Sequence, residues 1–202
     1  TYPYTDVNGN LCDDVHSIAI SVLSYQEKYS LLLRNPNDTL FLYLESHSKC
    51  DVNRLRSYFA TDEANGVQPD YRISILKMVY EIDKDIPFLS KSPSANIKQI
   101  VKAFGHDQLS QDEWVSLTDG RLLSWMYNHE DMMACESLRI MTQGQKYSET
   151  LAYKVLYNLD RDAAYDLRSA DTPVKVGKLL AERLKNAEHL SNEDFEREMR
   201  DL

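Results

Sequence analysis

One short run carries side chains that could do chemistry: His129-Glu130-Asp131. An imidazole beside two carboxylates can ligate zinc, or can serve as acid and base. His47 with nearby Glu45 stands in a comparable setting earlier in the chain. The spacing speaks against a zinc-protease helix. That chemistry needs His-Glu-x-x-His, so that both imidazoles share one helix face. Four residues after His129 the chain has Met133. The same residues have a local use. A histidine closing one helix and carboxylates opening the next both complement the helix dipole. We expect this capping role. No catalytic or cofactor-binding residue is assigned and no cofactor is expected; His129, Glu130 and Asp131 remain the candidates for a metal or small-molecule site.

Asp6-Val7-Asn8-Gly9-Asn10 resembles the start of a calcium loop. An EF-hand loop requires Gly at its sixth position and Glu at its twelfth, and here those positions are Leu11 and Ser17. A turn with Asn8-Gly9 at its tip is the expectation. The chain has no Gly-x-Gly-x-x-Gly, no phosphate loop and no Gly-x-Ser-x-Gly. Cys12, Cys50 and Cys135 are odd in number, widely spaced and without a Cys-x-x-Cys pair. They read as small hydrophobes in a reducing, cytoplasmic setting rather than as a disulfide framework.

Charge narrows the partners. The 202 residues hold 23 Lys and Arg against 32 Asp and Glu, a net charge of −9. Such a field repels nucleic-acid phosphates and anionic membranes. Lys98 and Lys102, like Lys175, Lys178 and Arg183, have acids nearby and read as solvated helix faces. No apolar run approaches the ~20 residues that span a bilayer. The chain opens on Thr1 rather than Met, and we expect it to be cut from a longer protein.

The elements that would position these groups are helices. Asp14–Leu23 places Val15, Ile18, Ala19 and Val22 at helical spacing. Ser24 is expected to cap a helix through Leu33, Asp38 the next, and Asp51 a fourth. Tyr71–Ile82 is a long apolar helix, and Pro87 and Pro93 make the following stretch extended. Further helices are predicted over Ala95–Phe104, after Ser110 with Glu113 completing a capping box, and over Arg121–Asn128, Met132–Thr142 and Ser148–Leu159. Pro173 starts another, and Ser191 caps the last.

The order of these segments repeats. Lys77–Phe88 and Lys154–Tyr165 are identical at four of twelve positions, where chance gives roughly one. Asp38–His47 aligns with Asp119–His129, pairing Tyr43 with Trp125 and His47 with His129. Leu109–Trp114 aligns with Leu190–Phe195. Offsets run from 77 to 83 residues. The expected architecture is all-α: a solenoid-like array of about five short helices per unit of roughly eighty residues. Residues 1–14 form an arm or hairpin, 15–94 a first unit, 95–172 a second, and 173–202 part of a third that continues beyond Leu202. Residues recurring at equivalent places in such an array are expected to pack.

Leu40-x-x-Tyr43 and Leu122-x-x-Trp125, with Tyr80-x-Ile82-Asp83 and Tyr157-x-Leu159-Asp160, resemble helical regions that accompany kinase-like or chaperone-like domains in bacterial multidomain proteins. The resemblance spans about half the chain and carries over no catalytic residue. It implies a part of a larger protein. We expect a non-catalytic protein-interaction or scaffold module whose protein partner is basic or neutral. The alternatives are a small-molecule or metal-dependent enzyme at His129-Glu130-Asp131, and a structural spacer between other domains.

Overall fold

The computed structural model describes residues 3–89, 93–106 and 109–160, with 193, 194 and 197. The helix expected from Pro173, and the third unit generally, lie outside the described residues, apart from helical backbone at Glu193, Asp194 and Arg197. The described chain is mostly helical, with ten helices and one two-stranded sheet. It divides into two compact units, Thr1–Ile86 and Pro87–Leu202.

The first unit opens on a hairpin. Strand β1 (Tyr4–Thr5) pairs antiparallel with β2 (Leu11–Cys12), Tyr4 opposite Cys12. Asp6 builds the connection, its Oδ1 accepting from the amides of Asn8 at 2.9 Å and Asn10 at 2.8 Å. Gly9 has φ of +81°, which a side chain would strain. The carboxylate that could have begun a calcium loop is thus occupied by its own turn.

Five helices follow: α1 (Val15–Ser24), α2 (Gln26–Leu32), α3 (Thr39–His47), α4 (Val52–Ser57) and α5 (Tyr71–Ile82). Asp14, Asp38, Asp51 and Asp70 cap α1, α3, α4 and α5 by accepting from the amides of Ser17, Leu40, Arg54 and Arg72. Such a cap stabilises a helix by about 1 kcal/mol. Ser24 departs from expectation. It is the last residue of α1, its hydroxyl donates to the Ile20 carbonyl at 2.8 Å, and Tyr25 stands before α2 without a side-chain cap. A hydroxyl that bonds back one turn is not available to the helix ahead. Helices α1 and α2 pack on α5, and α3 packs on α4. The core they close includes Ile18, Val22, Leu40, Leu44, Leu55, Ile75 and Val79.

A polar chain runs through this core. Ser21 donates to Asp6 Oδ2 at 2.8 Å and lies 3.1 Å from the Tyr29 hydroxyl, which lies 3.3 Å from the Tyr4 hydroxyl. Each hydroxyl has one proton. Ser21 spends its own on Asp6, so Tyr29 donates to Ser21 and Tyr4 donates to Tyr29. Burial pushes the pKa of both tyrosines up, keeping them protonated donors. Burial alone would raise Asp6 as well, but hydrogen bonds from Asn10, Ser21 and Asn8 outweigh it and hold its carboxyl below the usual value. A depressed carboxyl adds stability above its unfolded pKa and loses it as pH falls through the native one. We therefore expect Asp6→Asn to lower the Tm at neutral pH. The gap to wild type should shrink below roughly pH 4, read by thermal melts across an acid series.

The second unit has α6 (Ile97–His106), α7 (Gln111–Val115), α8 (Arg121–Met126), α9 (Met132–Thr142) and α10 (Glu149–Leu159). Phe88 and Ser94 form an isolated bridge before α6. Ser110 and Glu113 make the expected capping box on α7. Ser148 caps α10 through the Leu151 amide. Gly120 leads into α8 at φ of +102°, where no other residue type fits without strain. Helix α10 packs on α6 and α9, and α9 packs on α8. Ile100, Val101, Leu122, Trp125, Val155 and Leu156 are buried between them.

Candidate functional site

Helix α8 delivers the first of the candidate residues. His129 follows its end and lies flat against Trp125, ring centroids 4.0 Å apart and planes 8° from parallel. Its Nδ1–H donates to the Trp125 carbonyl at 2.8 Å, an acceptor it shares with the Asn128 amide. His47 stands likewise at the end of α3. It stacks on Tyr43 at 4.1 Å and 9°, and its Nδ1–H donates to the Tyr43 carbonyl at 3.0 Å. Glu45 is turned to Arg56, 3.3 Å from Nη2.

Asp131 stands at the start of α9, where its Oδ1 accepts from the Ala134 amide at 2.8 Å. Substituting Ala for Asp131 should cost about 1 kcal/mol, read as a lower Tm with unchanged helix content at low temperature. His129 and Asp131 thus each make a hydrogen bond at a helix end. Among the described residues, no three His, Cys, Asp or Glu side chains converge as a metal site. Cys12 and Cys135 are buried, Cys50 is half-buried, and all three are free thiols. Burial pushes their pKa values up, which lowers the thiolate fraction a nucleophile needs.

Glu130 and Asp131 have a second placement. Both line a groove of about 800 Å³ within the second unit, bordered by the start of α6, helix α9 and the end of α10. Met126, Leu138 and Val155 form its buried apolar base. Met133 and Met141 stand along the α9 wall, and Lys98 is the basic residue among those lining it. His129 is not part of the wall. Glu130 and Asp131 share the groove lining with methionines rather than with the imidazole.

The sequence reading missed the methionine wall. Helix α9 buries only Cys135 and Leu138. Met132 (73% exposed), Met133 (85%) and Ile140 (64%) face solvent. The signal was available: Met132-Met133 and Ile140-Met141 exceed what one buried face of an eleven-residue helix requires. Charges reinforce the outward face, where Arg139 and Glu136 pair one turn apart.

Among the described residues, no helix is long and apolar enough to cross a membrane. Comparison of the chain with protein-family models, with curated proteins and with solved structures finds no match.

Proposed function

We propose that this chain is a non-catalytic module that binds another protein, working as an interaction or scaffold part of a larger bacterial protein. The observation that carries the reading is the outward face of α9. Met132, Met133 and Ile140 stand exposed beside an open groove with an apolar base. Clustered exposed apolar side chains rimmed by charge are the usual mark of a protein-binding surface. The net charge of −9 favours a basic or neutral partner and argues against nucleic acid. Free thiols support a reducing, cytoplasmic compartment.

The two units are read as copies of one five-helix repeat. Three parallels support this. The first helix packs on the fifth and the third on the fourth in each unit. Aspartates Asp83 and Asp160 end the fifth helix in extended backbone. Each third helix ends in an aromatic–histidine stack. Affinity capture from a lysate of the source organism, with this chain as bait, tests the reading. One dominant protein, released by high salt, is the expected result; capture of none overturns it.

A second reading has one observation in its favour: Glu130 and Asp131 both line the groove. A small molecule or metal ion held there would make the chain an enzyme or a ligand sensor. Loss of a measured activity in Glu130→Gln, a substitution on the groove wall, with folding retained, would favour it; structural spacing between domains would leave the groove unused.

A further inference from the structure

The groove and the face beside it have a shape that selects an occupant. Met133, Ser137 and Met141 recur at one helical turn along α9 and all line the groove. Ile140 extends the same stripe onto the exposed surface. From Met133 to Met141 the stripe runs about 12 Å at ~1.5 Å per residue. A small molecule seated in the groove would leave Ile140 and most of Met133 in water. A helix laid along α9 would cover the stripe. Ser137 is small and leaves room for close approach at its middle. Apolar anchors spaced by three, four and seven residues are how a helix engages a groove. Methionine walls adapt to such guests because the side chain is unbranched and polarisable.

Charge decides which helix. Glu130 and Asp131 stand on the groove wall, with Lys98 as the basic residue there. A second copy of the chain would bring its own net charge of −9, and an anionic lipid surface would be repelled in the same way. The geometry points to a basic amphipathic α-helix of another protein, with its apolar face on Met133, Ile140 and Met141 and its Lys or Arg side chains against Glu130 and Asp131. This assignment rests on the interaction reading above and gives it a site and a partner chemistry.

The test uses the full chain and two fluorescent Leu-rich peptides of about 12 residues, a length at which an isolated helix is marginal in water. One has a polar face of Lys, the other of Glu, and binding is read by anisotropy. The Lys peptide should bind and the Glu peptide should not. Binding should weaken about tenfold in Met133→Lys and about threefold in Glu130→Lys or on raising salt from about 0.05 to 0.5 M. Leu31→Lys, on an exposed position of the first unit, should leave it unchanged. Met133 is 85% exposed, so its replacement spares the core. Equal binding of both peptides, or Lys-peptide binding indifferent to Met133→Lys, overturns the assignment. So does a dimer of the chain that Met133→Lys dissolves, since a second copy is then the occupant. Failure of both peptides overturns the groove alone if lysate capture still returns a partner that Met133→Lys leaves bound.

Discussion

Trp125→Ala should remove about 3–5 kcal/mol of stability, which for a domain held by about 5–15 kcal/mol leaves the second unit marginal. Trp125 has no exposed surface. Its ring meets Phe88 at 6.1 Å and 53° on one side and carries the His129 ring at 4.0 Å on another. Truncation opens a cavity and removes both aromatic contacts. His129→Ala supplies the contrast. His129 is exposed, so it should cost no more than about 1 kcal/mol, the scale of one hydrogen bond and one exposed stack. Urea titration reads both as a fall in midpoint at constant slope. Equal losses would mean that the histidine does more than cover the tryptophan. The expected order says that the stack is a lid on the core, with the core deciding stability.

That stack also shows what the sequence disclosed. Tyr43 and His47, like Trp125 and His129, are four residues apart, and a helix sets such pairs one above the other. Aligning the two segments is enough to pair them. Helix starts were legible for the same reason. Asp38, Asp51, Ser110 and Ser148 bond the amides of residues two or three ahead, a purely local act. Ser24 was misread because its hydroxyl had a competing local partner behind it. Non-local facts were out of reach. Spacing could not say that Tyr4, Tyr29, Ser21 and Asp6 form one relay, since residues 25 apart must first be folded together. Nor could it mark Leu89, buried yet at φ of +64°, because nothing in a leucine announces the left-handed region. The groove fell between these cases: its methionines were visible as surplus apolar residues on α9, but their exposure depends on which face α10 covers.

Arg121 is the clearest case of a residue whose role only the structure reveals, and it carries the second large effect. By composition it is one more basic residue at a helix start, where a cation opposes the dipole. In the fold its side chain is 2% exposed. Nη1 donates to Asp112 Oδ2 at 2.9 Å, Nη2 to Asp112 Oδ1 at 3.1 Å and to the Asp112 carbonyl at 2.8 Å, and Nε to Asp119 Oδ2 at 2.9 Å. The guanidinium thus ties α7 to the start of α8 across the Ser116–Gly120 turn. Asp119 Oδ1 also accepts from the Arg121 amide at 3.0 Å, so a carboxylate offsets the misplaced charge. Arg121→Met should cost about 3 kcal/mol. The figure sits at the low end for a broken buried pair because Asp112 is 36% exposed and water can replace its donor. Arg121→Lys separates charge from geometry. It keeps the cation, but one ammonium cannot reproduce a fork that meets two carboxylates and a carbonyl. We expect Lys to recover less than half of the loss in Met, measured by urea midpoints at matched salt. Full recovery by Lys would reduce the arrangement to a charge in a negative pocket. Little recovery would identify the planar fork as what holds α7 in place, and with it the Trp114 ring that packs on Phe104 at 4.7 Å and on Tyr153 at 5.7 Å. Tyr153 lies on α10, the helix that borders the groove. The stability of the proposed binding face therefore depends on a buried arginine that never touches it.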